Sequence, residues 1–255
     1  MLDKILQSAD ERADVANQRL DSFVAAAETA EPLRSFASAI SAPGLSVIAE
    51  IKRRSPSAGD IERDLDPVSV AMRYEAGGAD AISVLTEPNF FGGSLEDMIA
   101  VREAVSVPVL RKDFTRSASQ IWEARSAGAD AVLLIVAALS ETKLRELVTV
   151  AHDVGIDVIV EAHSAAEVVV AADSGAGIIG VNNRDLRTFE TDLSVAEEAA
   201  PFLPDDVVTI GESGVSDVEG AERMVSAGYD AILVGEALVR SDDPAALVAA
   251  LKGAR

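Results

Sequence analysis

Gly78-Ala79-Asp80-Ala81-Ile82-Ser83-Val84-Leu85 returns as Gly128-Ala129-Asp130-Ala131-Val132-Leu133-Leu134-Ile135, then as Gly175-Ala176-Gly177-Ile178-Ile179-Gly180-Val181, then as Gly228-Tyr229-Asp230-Ala231-Ile232-Leu233-Val234. The steps between them are 50, 47 and 53 residues. A turn followed by an apolar run, repeated at a near-constant period, marks a fold built from repeated units. Another apolar run lies inside each interval, and one more, near residues 46 to 51, precedes the first echo, which makes eight strands. Between them run segments of helical periodicity, such as Glu141 to Val148 and Asp217 to Val225, commonly closed by Gly. Continuous apolar strands alternating with helices indicate a parallel sheet covered on both faces. Eight βα units in about 210 residues predict a closed (β/α)₈ TIM barrel. The expectation is one barrel domain over residues 1–255, with 1–45 as an N-terminal helical extension and 46–255 as the barrel. Ile5, Leu6, Ala9, Ala13, Ala16, Leu20 and Phe23 recur at helical spacing in that extension. Periodicity leaves open whether it covers the active-site mouth or the opposite end.

Four strands end in ionisable groups. Ile48-Ala49-Glu50-Ile51-Lys52 places a carboxylate and an amine two residues apart, on one face of a strand. Val109-Leu110-Arg111-Lys112, Val158-Ile159-Val160-Glu161 and Val208-Thr209-Ile210-Gly211-Glu212-Ser213 repeat the pattern. In this fold, catalytic groups sit at the C-terminal strand ends, so Glu50, Lys52, Lys112, Glu161, Asn182, Glu212 and Ser213 converge on one mouth. Ser213-Gly214 after strand seven and Gly235-Glu236 after strand eight let backbone N–H groups approach an anion, so a phosphorylated small-molecule substrate is expected.

Composition removes several function classes. The chain has no cysteine, which excludes disulfides, thiolate metal sites and thiol catalysis, and its two histidines are too few for a histidine-rich metal centre. No metal and no cofactor are expected. A net charge of −21 opposes nucleic-acid binding. No apolar run reaches the roughly 18 residues of a membrane span, and Met1-Leu2-Asp3-Lys4 opens no signal peptide, so a cytoplasmic protein with no membrane partner is expected. A monomer or weak homo-oligomer is expected. The 22 basic residues are 17 Arg and 5 Lys, and two of those lysines are at the strand ends, so surface lysine is nearly absent. This is a halophilic-type acidic surface, suited to a concentrated salt cytoplasm where screening offsets self-repulsion; the alternative is an ordinary acidic enzyme.

Other motifs recede. Gly175-Ala176-Gly177-Ile178-Ile179-Gly180 has the GxGxxG spacing but precedes a strand, so dinucleotide binding fails on context. His163 either borders the site or, on exposure priors, sits in a solvated loop, and the latter is expected. His152 reads as structural, and Trp122 and Tyr74 as filling between helices and barrel. Arg53 and Arg54 either bind phosphate or stay solvated.

Six segments together carry a resemblance: Ala49 to Ser57 (AEIKRRSPS), Leu85 to Ser94 (LTEPNFFGGS), Arg111 to Phe114 (RKDF), Gly180 to Leu186 (GVNNRDL), Gly211 to Gly214 (GESG) and Val234 to Leu238 (VGEAL). In this order and on these strands they resemble the indole-3-glycerol-phosphate synthase family of tryptophan biosynthesis, over roughly residues 46 to 240. The resemblance implies a carboxy-lyase that converts 1-(2-carboxyphenylamino)-1-deoxyribulose 5-phosphate into indole-3-glycerol phosphate, releasing carbon dioxide and water. It also implies a monofunctional form, since the sequence stops after its eighth unit. Lys112 would be the ring-closing acid. Lys52 would hold the carboxylate and act again in dehydration, with Glu50 or Glu161 as the base and Glu161 near the anilino nitrogen. Asn182, Glu212 and Ser213 would orient the substrate. Ser55, Arg184, Gly214 and Gly235 would meet the phosphate, and Phe91, Phe114 and Leu186 the aromatic ring. Three competing readings are a sibling isomerase, which wants a cysteine, a Schiff-base aldolase and a silent phosphate-binding barrel.

Overall fold

The computed structural model describes residues 1–56, 59–185 and 188–254. Eight parallel strands, β1 (Ser46–Ile51), β2 (Ala81–Leu85), β3 (Val109–Lys112), β4 (Ala131–Ile135), β5 (Asp157–Ala162), β6 (Ile178–Asn182), β7 (Val208–Glu212) and β8 (Ala231–Val234), pair in sequence order. β8 then pairs with β1 and closes the barrel. The expected TIM barrel is therefore the fold. A two-residue ribbon, Arg54–Ser55 against Gly59–Asp60, lies in the loop after β1.

Along every strand alternate residues leave the barrel in opposite directions. Val47, Ala49, Ile82, Val84, Val132, Leu134, Val158 and Val160 face outward into the core shared with the helices. Ile48, Leu110, Ile159 and Ile210, one from each odd strand, fill a layer of the interior. Two residues further along those strands the same inward positions are Glu50, Lys112, Glu161 and Glu212. In this fold the interior layers take four side chains from alternate strands. The top layer here keeps that geometry and replaces every apolar side chain with an ionisable one.

The glycine that opens each echo, and the aspartate two residues on in three of the four, have a physical cause at the other end. Gly78, Gly128, Gly175 and Gly228 are left-handed, with φ of 91°, 85°, 83° and 91°, and turn the chain out of a helix toward the next strand. The aspartates then staple two strand starts. Val47 N–H donates to Asp80 at 2.9 Å, Val109 N–H to Asp130 at 2.8 Å and Thr209 N–H to Asp230 at 2.8 Å. In return the N–H of each aspartate donates to the carbonyl of the same partner residue.

Helices α1 (Leu2–Asn17), α2 (Leu20–Thr29) and α3 (Phe36–Ile40) form the extension. It reaches both ends of the barrel. Leu2 and Ile5 of α1 line the cleft at the C-terminal strand ends, and Arg12 makes a double hydrogen bond to Asp113 at 2.8 and 2.9 Å. α2 descends along α6 (Ala118–Ser126). At the bottom Phe36 and Ile40 of α3 are fully buried beside Ala81 and Ala131, while Arg34 and Ala37 N–H groups donate to Asp130 and Asp157. Between the strands come α4 (Pro67–Ala76), α5 (Leu95–Ala104), α6, α7 (Glu141–Val154), α8 (Ala165–Asp173), α9 (Ser194–Ala199) and α10 (Val218–Ser226), and after β8 come α11 (Glu236–Arg240) and α12 (Pro244–Lys252). Among the described residues no helix is long and apolar enough to cross a membrane.

Candidate active site

A cleft of about 840 Å³, open to solvent, sits over the top layer. Its floor is Glu50, Lys112, Glu161 and Glu212, with Lys52 and Asn182 at the edge. Phe91 and Phe114, ring centres 6.2 Å apart, form an apolar wall with Leu2, Ile5 and Ile135. Phe91 is placed by the loop after β2. There the buried Glu87 carboxylate accepts the N–H groups of Asn89, Phe90 and Phe91 at 3.2, 2.6 and 3.1 Å. Gly93 lets that loop fold back, since a Cβ there would strike the Leu85 carbonyl.

An annex continues from the cleft, sharing Glu50, Lys52, Arg184 and Ser213 with it and lined further by Gly214, Gly235 and Arg240. Ser213 and Gly214 are both left-handed, with φ of 62° and 85°. Asn183 fixes this turn: its Nδ2 donates to the carbonyls of Glu212 and Ser213 at 3.0 and 3.1 Å, and its Oδ1 accepts from Ala196 N–H. Arg184 reaches across to the Phe189 carbonyl at 3.0 Å, and its N–H donates to Asn182 Oδ1.

Lys112 Nζ donates to Glu161 Oε2 at 2.9 Å and to Glu212 Oε2, and Lys52 Nζ donates to Glu50 Oε1 at 2.7 Å. Burial opposes the Lys112 charge, but Glu161, Glu212 and Glu50 together outweigh it and raise its pKa far above the ordinary lysine value. The two carboxylates on that ammonium diverge. Glu161 is also penalised by burial, yet Lys112 and His163 pull it well below the usual carboxylate range. Glu212 is pushed up to about 8, by burial first and then by the charge of Glu161, against the pull of Lys112. Carboxylates that touch one ammonium lie within roughly 5 Å of each other, where at an effective dielectric of about 20 two charges repel by about 3 kcal/mol. That is roughly two pKa units, and together with burial it moves Glu212 toward its protonated form while Glu161 is moved toward its ionised one.

The site-residue expectations are brought together with three qualifications. Glu50, Lys52, Lys112, Glu161, Asn182, Glu212, Ser213, Phe91, Phe114, Arg184 and Ser55 all line the cleft, and Gly214 and Gly235 line the annex. Leu186 lies outside the described residues. Ser55 faces the main cleft, away from the Gly214–Gly235 annex. Gly235 has a second reason to be glycine: an added Cβ would lie 2.6 Å from Glu50 Oε1, so a larger residue displaces that carboxylate before it touches any anion.

His163 corrects the expectation of a solvated loop. Its side chain is only 11% exposed and lies 3.3 Å from Glu161 Oε1 and 3.4 Å from Glu167 Oε2. The signal was present: Glu161 and His163 are two apart, like Glu50 and Lys52, and share a face. Arg53 is engaged by Asp97 and the carbonyls of Leu65 and Gly92, while Arg54 is largely exposed beside Asp60. Among the described residues no group of three or more His, Asp or Glu is arranged to hold a metal ion.

The family model of indole-3-glycerol phosphate synthase matches residues 2–251. The chain belongs to the indole-3-glycerol phosphate synthase family. It is 53% identical to the Kineococcus radiotolerans indole-3-glycerol phosphate synthase over 211 residues, 83% of this chain and 77% of the relative. It is 45% identical to the Streptomyces griseus enzyme over 100% of this chain and 95% of that one, and 48% identical to the Mycobacterium avium enzyme over 98% and 93%. Among solved structures, the chain is similar in fold to a thiamine phosphate pyrophosphorylase from Pyrococcus furiosus (TM-score 0.60, 15% identity, 81% and 93% coverage). A second is an N-acetylmannosamine-6-phosphate 2-epimerase from Clostridium perfringens (TM-score 0.62, 14% identity, 82% and 93% coverage). Those two share the fold alone.

Proposed function

We propose that the chain is a cytoplasmic carboxy-lyase of tryptophan biosynthesis that converts 1-(2-carboxyphenylamino)-1-deoxyribulose 5-phosphate into indole-3-glycerol phosphate, with the top layer of the barrel as its acid–base machinery. The observation that carries this reading is a buried ammonium, Lys112, bonded to two carboxylates, Glu161 and Glu212, beneath an apolar wall and beside an annex suited to an anion.

The phosphate enters the annex, against the backbone at Gly214 and Gly235 and within reach of Arg184. The aromatic ring lies against Phe91 and Phe114, and Lys52 meets its carboxylate. Ring closure forms a bond between the aromatic carbon bearing the carboxylate and the ketone carbon, which turns the ketone oxygen into a developing alkoxide. An ammonium held as firmly charged as Lys112 donates readily only to a base of that strength, so the proton moves when the bond forms and not before. Carbon dioxide then leaves, and its bonding electrons restore the aromatic ring. Loss of the new hydroxyl as water needs an acid at that oxygen and a base near the anilino nitrogen. The ionised Glu161 fits the base, and the protonated Glu212 beside it is a second proton donor. Pairs of titratable groups driven apart in pKa by their surroundings mark such acid and base assignments.

We further read the enzyme as one catalytic domain, a monomer or weak homo-oligomer, with no nucleic-acid partner and no metal or organic cofactor. The scarcity of lysine outside the site, together with the net charge of −21, supports work in concentrated salt. The decisive assay follows the fluorescence of indole-3-glycerol phosphate as it appears from the carboxyphenylamino substrate under exhaustive chelation. Turnover at the full rate is expected; no product, or product only after one divalent ion is restored, defeats the assignment.

A further inference from the structure

We propose that His163 is a positioning residue for this reaction: wedged between Glu167 and Glu161, its ring decides which of the two carboxylates on Lys112 stays ionised. The proposal rests on the reading of Glu161 as the base. Glu161 is held at both oxygens, Oε2 by Lys112 at 2.9 Å and Oε1 by His163 Nε2 at 3.3 Å. Glu212 also meets Lys112, but its Oε1 is buried with no hydrogen-bond partner among the described residues. One carboxylate therefore faces two cations and the other faces one. The shared proton goes to the one with less compensation.

The far side of the ring is anchored as firmly. Glu167, in the first turn of α8, accepts the His163 backbone N–H at 2.8 Å, and its own N–H is capped by Ser164 at 3.2 Å. Its Oε2 lies 3.4 Å from His163 Nδ1. Neither ring contact has hydrogen-bond alignment, so the attraction is between charges. The charged groups acting on His163 are Glu161 from β5 and Glu167 from α8, while the short turn Val136–Ala138 packed against β5 carries none. Burial disfavours the imidazolium, but the two carboxylates outweigh it and push the ring up to about 10. His163 is thus a permanent cation at neutral pH. It gives Glu161 a second countercharge that no substrate has to displace.

The test separates positioning from packing. In His163→Gln the acid limb of kcat/KM should move upward by about one pH unit, the low end for removal of one opposite charge at this distance. On that limb, below the wild-type midpoint, kcat should fall about tenfold with KM within about twofold, while near neutral pH it should stay close to wild type. His163→Lys should return the limb toward its original position, and Glu167→Gln should move it in the same direction by less. Because the chain has two histidines and His152 is exposed, His152→Gln leaves His163 as the sole imidazole for NMR titration. That ring should remain charged to about pH 9, given its value of about 10. An unmoved acid limb in both His163→Gln and Glu167→Gln, or a ring that titrates near its ordinary value of about 6.5, overturns the proposal. Should His163→Gln fail to fold, Glu167→Gln and the titration still decide. A wild-type enzyme that makes no indole-3-glycerol phosphate would defeat the assigned reaction instead, and the titration would judge the clamp on its own.

Discussion

The two rims of the barrel both carry buried or half-buried carboxylates, and they differ in whether the backbone holds them. At the bottom, Asp80, Asp130 and Asp230 take backbone N–H groups from the neighbouring strand, with Lys252 and Arg102 added on Asp80 and Asp130. At the top, the hydrogen-bond donors of Glu50, Glu161 and Glu212 among the described residues are lysine ammoniums. A carboxylate held by the backbone cannot change partner unless the strands separate. One held by a flexible side chain can exchange that partner for a substrate and can lose or gain a proton as it does so. The same chemical group is a staple at one end and a reagent at the other. The difference lies in the donor, and it follows the separation of stability from chemistry along this fold.

The largest expected effect is at the top rim. Lys112→Met keeps length and apolar stem while deleting the ammonium, so kcat should fall by at least the roughly 10²-fold of a lost general acid, with much less change in substrate affinity. Binding of a substrate analogue, followed by its anilino fluorescence, measures affinity apart from turnover. Near-normal kcat would make Lys112 a positioning charge and Lys52 the leading acid.

At the bottom rim the pattern should invert. Asp130 accepts the N–H groups of Val109 and Arg34 at 2.8 and 2.7 Å and pairs with Arg102 at 2.9 Å. Asp130→Ala leaves these donors without their acceptor, at a cost of about 3 kcal/mol. For a chain of this size that lowers Tm by about 6–12 °C. Turnover of the folded variant should stay within about twofold. A large loss of kcat at permissive temperature would show that the two rims are not separable.

How much of this was legible in the sequence also divides by rim. The eight strands, the closed barrel and the ionisable strand ends followed from period and position, because inward side chains alternate and need no tertiary knowledge. The reason for Asp in the echo did not, since it depends on which amides start the adjacent strand. The split of the N-terminal extension between mouth and floor was equally hidden: Ile5 and Phe36 look alike in a periodicity plot, and only the closed barrel gives them different ends. His163 could have been paired with Glu161 by the rule that joined Glu50 to Lys52. Glu167, on the next helix, could not, because four-residue spacing across a strand–loop–helix boundary says nothing until the helix start is fixed. Gly235 was read for what it admits, a phosphate, while its Cβ space also belongs to Glu50.

The smallest effect, and the one that most sharpens the contrast between the rims, is the stability of Glu212→Gln. Burial, with the charge of Glu161, pushes Glu212 up to about 8 in the folded protein from an ordinary 4.5. For a group whose folded pKa is raised, the stabilising contribution is fully present below the unfolded value and is lost as pH rises through the folded one. Wild-type Glu212 therefore costs increasing stability from about pH 4.5 to about pH 8, and that cost is constant above. Glutamine has nearly the same shape, keeps an oxygen for Lys112 and never ionises. Its Tm advantage should be smallest near pH 5, grow through neutrality and level off near pH 9. The same variant should lose about tenfold or more in kcat, because the proton Glu212 supplies is gone. Gain of stability with loss of rate is the signature of a carboxylate kept for chemistry. Thermal scans at several pH values decide the matter: a variant less stable than wild type near pH 9 would mean that ionised Glu212 is a net staple for Lys112, and the top rim would then resemble the bottom one.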